Sequence, residues 1–470
     1  MADAPHEPVN EYEREPVPEQ ARLGLKSYVG MFAGEHVAGT ELMIGPLFLA
    51  AGVSAFDFIY GLLVGNLLAV LSWTLFTAPI AVRCRLTLYY QLEKICGRKL
   101  VTTYNLANGV MFTVLAGAMM TVSATALGVY FKFSMPQLTD TLPTSLGWVV
   151  AVLVVGVLFS VVAAFGYRFV ARFANIAAPW MVLVFVAFGL IGLHEMGLNS
   201  AKDFWHVAST VIWKGGDPMP GQVKFTFWHV MFFAWFCNMA WHIGMADLSI
   251  FRFAKKSWYG IAAAAGMYIG HFMAWIAAST LYAVQLKHDP ANTAVLPGPL
   301  AYQACGLTGL LCVIVAGWTT ANPTLYRAGL AFQALRPGSS RFKVTLLTGL
   351  IASVTAVFPV VTMRLLDFVA LWGMILMPLG AVIFVDFWLL PRFGLRSNFA
   401  AVTGRTLNWA AATAWLVSVA VSTLLVLKGG VQIYFVSLPG WFVTALLYIG
   451  VSKLMQKNVP SLAVQPGSEP

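Results

Sequence analysis

The chain has 470 residues, of which 59% are hydrophobic and only 10% are charged, and its mean hydropathy is +0.76. Soluble domains average roughly 45–50% apolar and about 25% charged residues, because polar residues must cover their surface. This composition excludes a soluble globule and a disordered chain, and it indicates a protein embedded in a lipid bilayer. The net charge of +10 does not by itself indicate a nucleic-acid partner.

Long apolar stretches recur along the chain and predict twelve membrane-spanning helices. Each is long enough to cross a hydrocarbon core of roughly 30 Å, and none shows the alternation of a barrel strand. In chain order the predicted spans are Ser27–Gly52, Phe56–Val82, Asn105–Phe131, Leu146–Phe165, Phe173–Leu193, Thr226–Ile250, Trp258–Val284, Tyr302–Arg327, Lys343–Val361, Leu365–Leu390, Thr406–Leu427 and Val431–Val451.

Polar segments divide this array into parts. The acidic, proline-rich start of the chain predicts a disordered cytosolic tail. A long polar connection between spans five and six is expected outside the cell, where it is a candidate lid. The predicted parts are the tail 1–24, a first five-helix repeat 25–193, the connection 194–225, a second five-helix repeat 226–390, two additional helices 391–452 and a cytosolic C-terminal tail 453–470.

The positions of lysine and arginine predict the orientation in the membrane. With the N-terminus inside, about three quarters of the 29 lysines and arginines fall on the cytoplasmic side, as expected when positive loops stay inside. Both termini are therefore expected on the cytoplasmic side of a bacterial inner membrane. The same bias explains the basic composition without a nucleic-acid partner.

Span one contains an unusual concentration of polar residues. Ionisable side chains at mid-membrane cost about 2.5–3.5 kcal/mol each on insertion scales. Glycine and proline weaken a helix at that depth, and an unwound backbone offers carbonyl ligands to a cation. The alternative is a glycine-rich packing face whose glutamates form interhelical hydrogen bonds. The residues concerned are Gly34, Glu35, His36, Gly39, Glu41, Gly45 and Pro46.

Span six is the expected counterpart of span one. It places Asn238, His242 and Asp247 near Trp235 and Trp241, and such a set can stack on a planar ligand and orient it by hydrogen bonds. The alternatives are a structural histidine and an aspartate that pairs with a nearby cation, Arg252 or Lys255.

Spans eight and ten each contain a proline within a polar or glycine-bearing stretch. Thr319 and Thr320 precede Pro323, which frees the carbonyl of Thr319, so hydroxyl and carbonyl oxygens that suit Na⁺ come together. The alternative is a kink whose hydroxyls bond back to the helix. In span ten, Pro378 and Gly380 predict a flexible gate.

Several of these stretches resemble the nucleobase–cation symporter-1 family, which includes the purine and cytosine permeases and the hydantoin and allantoin transporters. Cytosine-permease-like members are the most similar. The span-eight motif and the end of span ten are the most specific of the matches, which are collinear across residues 17–410. They are VPEQARLGLKS, FDFIYGLLVGNLLAVL, ADLSIFRFAKK, GWTTANPTLYRAGLAF and MPLGAVIFVDFWLLPR.

The resemblance implies an all-α polytopic fold of twelve helices, in which a five-plus-five inverted repeat like that of the leucine transporter is followed by two extra helices. It also implies a substrate between spans one, three, six and eight, and one Na⁺ between spans one and eight. The implied sodium ligands are Gly34, Ala38, Ala316, Thr319 and Thr320, and Ala321 and Asn322 are implied on the substrate face of span eight.

Span three departs from the family pattern. Nucleobase-binding members carry a tryptophan and a glutamine there, whereas this chain has Ala116, Met119 and Met120 at or near those positions. The stacking position of span six holds Asn238. The resemblance therefore implies the fold and the transport function, and it leaves the substrate open.

The sequence thus predicts a cation-coupled secondary transporter, and not an enzyme, that imports a nucleobase or related nitrogenous compound by alternating access. The alternative is the same fold re-specified for a cationic or amino-bearing solute, with proton coupling through the acidic residues of span one. Na⁺ or H⁺ is the expected coupling ion, without an organic cofactor. A monomer is compatible with the sequence, which leaves the oligomeric state open. Candidate substrate-binding residues are Glu35, Glu41, Met119, Met120, Trp235, Asn238, Trp241, His242, Ala321 and Asn322, and candidate gating residues are Asp247, Pro378 and Gly380.

Overall fold

A computed structural model of the chain describes residues 11–136, 140–360 and 365–457, and within them regular structure is helical apart from two isolated β-bridges. The helices are α1 Leu25–His36, α2 Glu41–Ala50, α3 Ala55–Cys84, α4 Leu88–Cys96, α5 Arg98–Phe131, α6 Leu146–Ala164, α7 Tyr167–Glu195, α8 Phe204–Val207, α9 Phe227–Phe236, α10 Leu248–Phe251, α11 Ser257–His288, α12 Pro297–Leu335, α13 Arg341–Ala356, α14 Leu365–Leu376, α15 Pro378–Phe384, α16 Phe399–Thr403, α17 Trp409–Leu427 and α18 Ile433–Gln456.

Nine helical stretches in the described part of the chain are long and apolar enough to cross a membrane, and α2 and α9 are shorter apolar helices. Most predicted spans correspond to one continuous helix with similar bounds. Span eight differs in two ways. Cys305 and Gly306 have non-helical dihedral angles that divide α12 near its start, and α12 continues to Leu335, beyond the predicted end at Arg327. The predicted total of twelve spans stays a prediction, since the end of span nine lies outside the described residues.

Span one is interrupted near its middle, as its glycines predict. The helix α1 ends at His36 and α2 begins at Glu41, and Val37 between them has non-helical dihedral angles of φ −88° and ψ 62°. A Cβ atom on Gly39 would lie 2.7 Å from Cγ1 of Val122 in span three. The interruption therefore passes so close to its neighbours that it requires glycine.

Span six is interrupted over a longer stretch. The helix α9 ends at Phe236 and α10 begins at Leu248, and Met245 between them has a φ of +63°. A Cβ on Gly380 of span ten would lie 2.0 Å from the carbonyl oxygen of Ile243. The punctuated part of span ten thus packs directly on the unwound part of span six.

The N-terminal segment, residues 11–24, packs against the helices and is not the disordered tail that composition predicts. Val17 is fully buried, and the Arg14 guanidinium donates to both carboxylate oxygens of Glu93 at 2.8 and 2.7 Å. Glu11 lies 3.8 Å from Arg252. Charged side chains that look like a solvated tail in sequence are therefore paired with charged residues of the helical part, Glu93 in α4 and Arg252 at the end of α10. Residues 1–10 and 458–470 lie outside the described residues.

The polar connection 194–225 packs on the ends of spans one and seven. The Trp213 indole is buried and donates to the Ser279 hydroxyl at 2.9 Å. Lys224 donates to the backbone carbonyls of Gly52 and Gly216. These contacts anchor the connection beside the outer end of α2, and its role as a lid stays a prediction.

Candidate functional site

The interruptions of spans one and six border a cavity of about 60 Å³. Spans three, seven, eight and ten complete its wall. The wall combines carboxylate, imidazole, amide and hydroxyl groups with a few apolar side chains, as small-molecule sites commonly do. The lining residues are Glu35, His36, Thr40, Glu41, Ile44, Leu115, Met119, Cys237, Asn238, Trp241, His271, Thr320, Thr324 and Val369.

The structure brings some of the predicted substrate residues together at this cavity and places others elsewhere. Glu35, Glu41, Met119, Asn238 and Trp241 all line it. The predicted residues that do not line it are Met120, Trp235, His242, Ala321 and Asn322.

The residues outside the cavity have identifiable surroundings. The Trp235 indole donates to the Ser72 hydroxyl of span two at 3.1 Å, and a His242 ring nitrogen lies 3.0 Å from the carbonyl oxygen of Trp235. The Met120 sulfur lies 3.7 Å from the Ser353 hydroxyl. Helical periodicity does not extend through the unwound part of span six, so it could not give the direction of His242.

Glu35 belongs to a buried ionic network centred on Arg327 of span eight. The Arg327 guanidinium lies 2.6 and 3.3 Å from the two carboxylate oxygens of Glu35 and 2.6 Å from Asp247. The Trp73 indole donates to the other Asp247 oxygen at 2.7 Å. Asp247 therefore pairs with Arg327, and not with Arg252 or Lys255 as one sequence interpretation had it. The network ties together spans one, two, six and eight.

Glu41, at the other side of the same interruption, has different partners. The Trp275 indole of span seven donates to its Oε2, while Oε1 lies 3.8 Å from Nε2 of His271. His271 stacks on Trp275 with ring centroids 4.3 Å apart. An Asn238 amide nitrogen lies 3.4 Å from the same Nε2 of His271. Glu41 thus sits in an aromatic, largely neutral environment.

The predicted sodium ligands of span eight converge on the interruption of span one. The Thr320 hydroxyl oxygen lies 2.9 Å from the carbonyl oxygen of Glu35 and 3.0 Å from that of Ala316. The Thr319 hydroxyl oxygen lies 3.0 Å from the same Ala316 oxygen. All of these groups are buried hard oxygens, which is the donor set that Na⁺ takes from broken helices.

The span-one ligands implied by the resemblance are less uniformly placed. A Cβ on Gly34 would lie 3.6 Å from Cβ of Thr319, so this part of α1 touches span eight. The carbonyl of Ala38 already accepts the amide of Glu41 at 3.1 Å. Among the described residues of span one, the backbone carbonyl that lies closest to a span-eight hydroxyl is that of Glu35, 2.9 Å from Thr320.

A wider vestibule of about 370 Å³ adjoins the cavity on the α2 side. Cys237 and Val369 line both spaces. The remaining vestibule wall comes from the end of α2, residues 221–225, α9 and the start of α18. On the opposite side of the cavity lie the Arg327 network and the docked N-terminal segment.

Sequence reasoning missed Arg327, His271 and Trp275. The predicted span eight ends at Arg327, although nothing in the sequence ends the helix there. His271 had a usable signal, since it is an ionisable residue in the middle of an apolar span. Trp275 had none, because tryptophans are frequent in this chain.

No protein-family model matches the sequence, and none of the curated proteins matches it at a significant level. Solved structures do resemble it. Mhp1, a nucleobase-cation-symport-1 family transporter, in a closed conformation with bromovinylhydantoin bound, has a TM-score of 0.72 at 18% identity over 97% of both chains. The inward-facing conformation of Mhp1 has a TM-score of 0.69 at 15% identity over 97% of this chain and 96% of that one.

A second kind of transporter shares the architecture. A Na⁺-coupled sialic acid symporter in a substrate-bound outward-open state has a TM-score of 0.67 at 15% identity and covers 94% of this chain and 92% of its own. At these identities the likeness concerns the fold. The predicted all-α polytopic fold of the leucine-transporter type, with its two interrupted helices, is thereby confirmed.

Proposed function

We propose that this protein is a cation-coupled symporter that imports a small nitrogenous solute by alternating access. The observation that carries the proposal is a buried polar cavity at two facing helix interruptions, which adjoins a vestibule. Broken helices at mid-membrane are where transporters of this architecture bind substrate and ions. Solved structures with the same fold include transporters in outward-open, closed and inward-facing states.

The orientation follows from the loop cations, and we place both termini in the cytoplasm of a bacterial inner membrane. The vestibule then faces outwards, and the Arg327 network and the N-terminal segment close the cytoplasmic side. In this outward-facing arrangement the solute reaches the cavity past Cys237. Release inwards requires the network that joins spans one, six and eight to separate.

Na⁺ is the coupling ion that the donor set favours. The carbonyls of Glu35 and Ala316 and the hydroxyls of Thr319 and Thr320 would hold it between spans one and eight. An ion bound there stabilises the contact of the interrupted span with span eight, and this contact forms one wall of the cavity. Ion and solute would therefore favour the same conformation, which is the thermodynamic requirement for coupling.

Two classes of solute are candidates for the substrate. The fold shared with Mhp1 supports a nucleobase or hydantoin-like ring. The cavity wall supports a cationic or amino-bearing solute, because it includes two glutamates and, among its lining residues, neither lysine nor arginine. The two candidates overlap in aminated heterocycles such as cytosine.

The test is uptake of labelled cytosine into proteoliposomes under an imposed Na⁺ gradient. We expect accumulation that collapses with the gradient, and Thr320→Ala should raise the Na⁺ concentration for half-maximal uptake about tenfold, as loss of a direct ligand would. Thr423→Ala in α17, which removes a comparable back-bonded hydroxyl, is the control. Passive entry of several solutes, unaffected by Na⁺ or H⁺ gradients, would contradict the proposal.

A further inference from the structure

We propose that Glu41, flanked by His271 and Asn238, is the recognition point of the cavity and takes a compact solute that presents a positive charge or several N–H donors. This inference rests on the proposed transport function and specifies its substrate class. It also separates the roles of the two glutamates of span one, which the sequence treats alike.

Glu35 is not available to a solute. Both of its carboxylate oxygens face the Arg327 guanidinium, at 2.6 and 3.3 Å, so Glu35 is held in the ionic network that Arg327 also forms with Asp247. The Thr320 hydroxyl donates a hydrogen bond to the backbone carbonyl oxygen of Glu35. Glu35 thus borders the cavity as a member of this ionic network, with both carboxylate oxygens already contacted by the guanidinium.

Glu41 keeps unused acceptor capacity. One oxygen receives the Trp275 indole proton, and the other is 3.8 Å from His271, which is beyond hydrogen-bonding distance. Glu41 is the first residue of the ten-residue helix α2, where the aligned peptide dipoles favour a carboxylate. The side chain is 3% exposed and borders the cavity, so its free lone pairs are available only to an occupant.

The neighbours of Glu41 add a second, independent indication of a ligand. His271 is 3% exposed, and its Nδ1 has no hydrogen-bond partner among the described residues. Buried polar atoms without partners are rare in folded proteins, since each costs free energy unless a ligand or water satisfies it. The His271 ring lines the cavity beside Glu41, with Nε2 as the nitrogen near the carboxylate, and its unpartnered Nδ1 can accept or donate one further hydrogen bond.

Charge and size together define the solute class. A buried carboxylate without a lysine or arginine beside it gains most from a cation or from N–H donors, and it disfavours an anion. The volume of about 60 Å³ is smaller than the engineered cavity of about 150 Å³ that holds benzene. A compact amidinium, guanidinium or aminated solute meets both conditions, whereas a small carboxylate meets only the condition of size.

The test uses three isosteric probes that differ mainly in charge: acetamidinium, acetamide and acetate. Binding to the purified full-length protein in Na⁺ buffer is followed by thermal shift and by protection of Cys237, which lines the cavity, from a thiol reagent. We expect acetamidinium to bind at least about tenfold more tightly than acetate, with acetamide between them. Glu41→Gln should abolish this order, and Glu195→Gln, the same change at a half-exposed carboxylate, should preserve it.

The relative affinities of the three probes for the wild-type protein test the inference even if Glu41→Gln fails to fold. Equal binding of acetate and acetamidinium, binding of none of the three, or an unchanged order in Glu41→Gln would overturn the inference. Na⁺-driven uptake of some other solute, found alongside any of these results, would leave the proposed transport function standing. Absence of both binding and gradient-driven uptake would overturn both.

Discussion

Arg327 is the residue on which the half of the site away from the vestibule depends. It is fully buried, and so are its two carboxylate partners, Glu35 at 5% exposure and Asp247 at 0%. Taking three charges out of water is costly, and their mutual attraction compensates only while every partner is present. The three residues belong to three different spans, so the network specifies how those spans meet.

Replacing Arg327 by Met should therefore destabilise the protein strongly. The change leaves Glu35 and Asp247 buried close together without a counter-charge, and loss of one partner of a buried ion pair costs about 3–5 kcal/mol. We expect a correspondingly lower midpoint of thermal unfolding in detergent. The measurement is tryptophan fluorescence or calorimetry on purified protein.

Two comparison variants test whether burial of the charges is the cause of the lost stability. Arg327→Met combined with Glu35→Gln and Asp247→Asn removes all three charges and should recover most of the loss. Arg14→Met breaks a similar pair with Glu93, but these side chains are 36% and 22% exposed, so the cost should stay below about 1 kcal/mol. Equal losses in Arg14→Met and Arg327→Met would contradict the assigned role.

At the scale of elements, span ten approaches the unwound segment of span six very closely at Gly380. A Cβ on Gly380 would lie 2.0 Å from the Ile243 carbonyl oxygen and 2.8 Å from Cα of Gly244, and both are backbone atoms. Pro378 begins α15 just before this glycine. The predicted gate thus packs against the unwound segment of span six through Gly380, so a movement of span ten would displace that segment.

Gly380→Ala should abolish uptake and lower the yield of folded protein, because the added methyl group forces the two segments apart. Gly450→Ala in α18 is the matched control, since no atom lies within 4 Å of its Cβ position and alanine favours a helix interior. Fluorescence-detected size exclusion reports folding, and proteoliposome uptake reports function. Normal transport by Gly380→Ala would show that spans six and ten can separate freely.

The sequence could predict the broken span one and not the details of the broken span six. Glycine spacing marks Gly39 as a weak point, and the helix does end beside it. In span six, aromatic residues fill the apolar run on both sides of the interruption, so composition does not show where the helix stops. The direction of Trp235 and His242 then depends on loop dihedral angles that no periodicity describes.

Helix ends and ion pairs between residues distant in the chain could not be predicted from the sequence either. Arg327 lies in a run, LYRAGLAFQAL, that a helix can continue without a stop signal, and only its burial by Glu35 and Asp247 shows that it belongs inside the protein. A lone sequence shows neither partner, because both are distant in the chain. Conversely, Thr319 and Thr320 could be placed beside span one because the local motif and its fold context agree.

At the scale of the whole molecule, the two ends of the proposed transport path are unequal. The vestibule reaches the cavity at Cys237, whereas the N-terminal segment covers the other end through Glu11, Arg14 and Val17. Glu11 accepts from the Tyr326 hydroxyl at 2.9 Å and from the Tyr167 amide at 3.1 Å. These contacts exist only while the ends of spans five, six and eight stay together, so they favour the state in which the vestibule is open.

Deleting residues 1–23 should shift the protein away from that state and towards the one that opens to the cytoplasm. Each loss of about 1.4 kcal/mol in docking free energy changes the ratio of two states about tenfold. Cys237 should then react more slowly with a membrane-impermeant thiol reagent added from the vestibule side, with Cys237→Ser identifying its share of the signal. An unchanged rate in the deletion variant would mean that the ionic network of Arg327 alone holds the cytoplasmic side closed, and that the N-terminal segment follows the helices without biasing them.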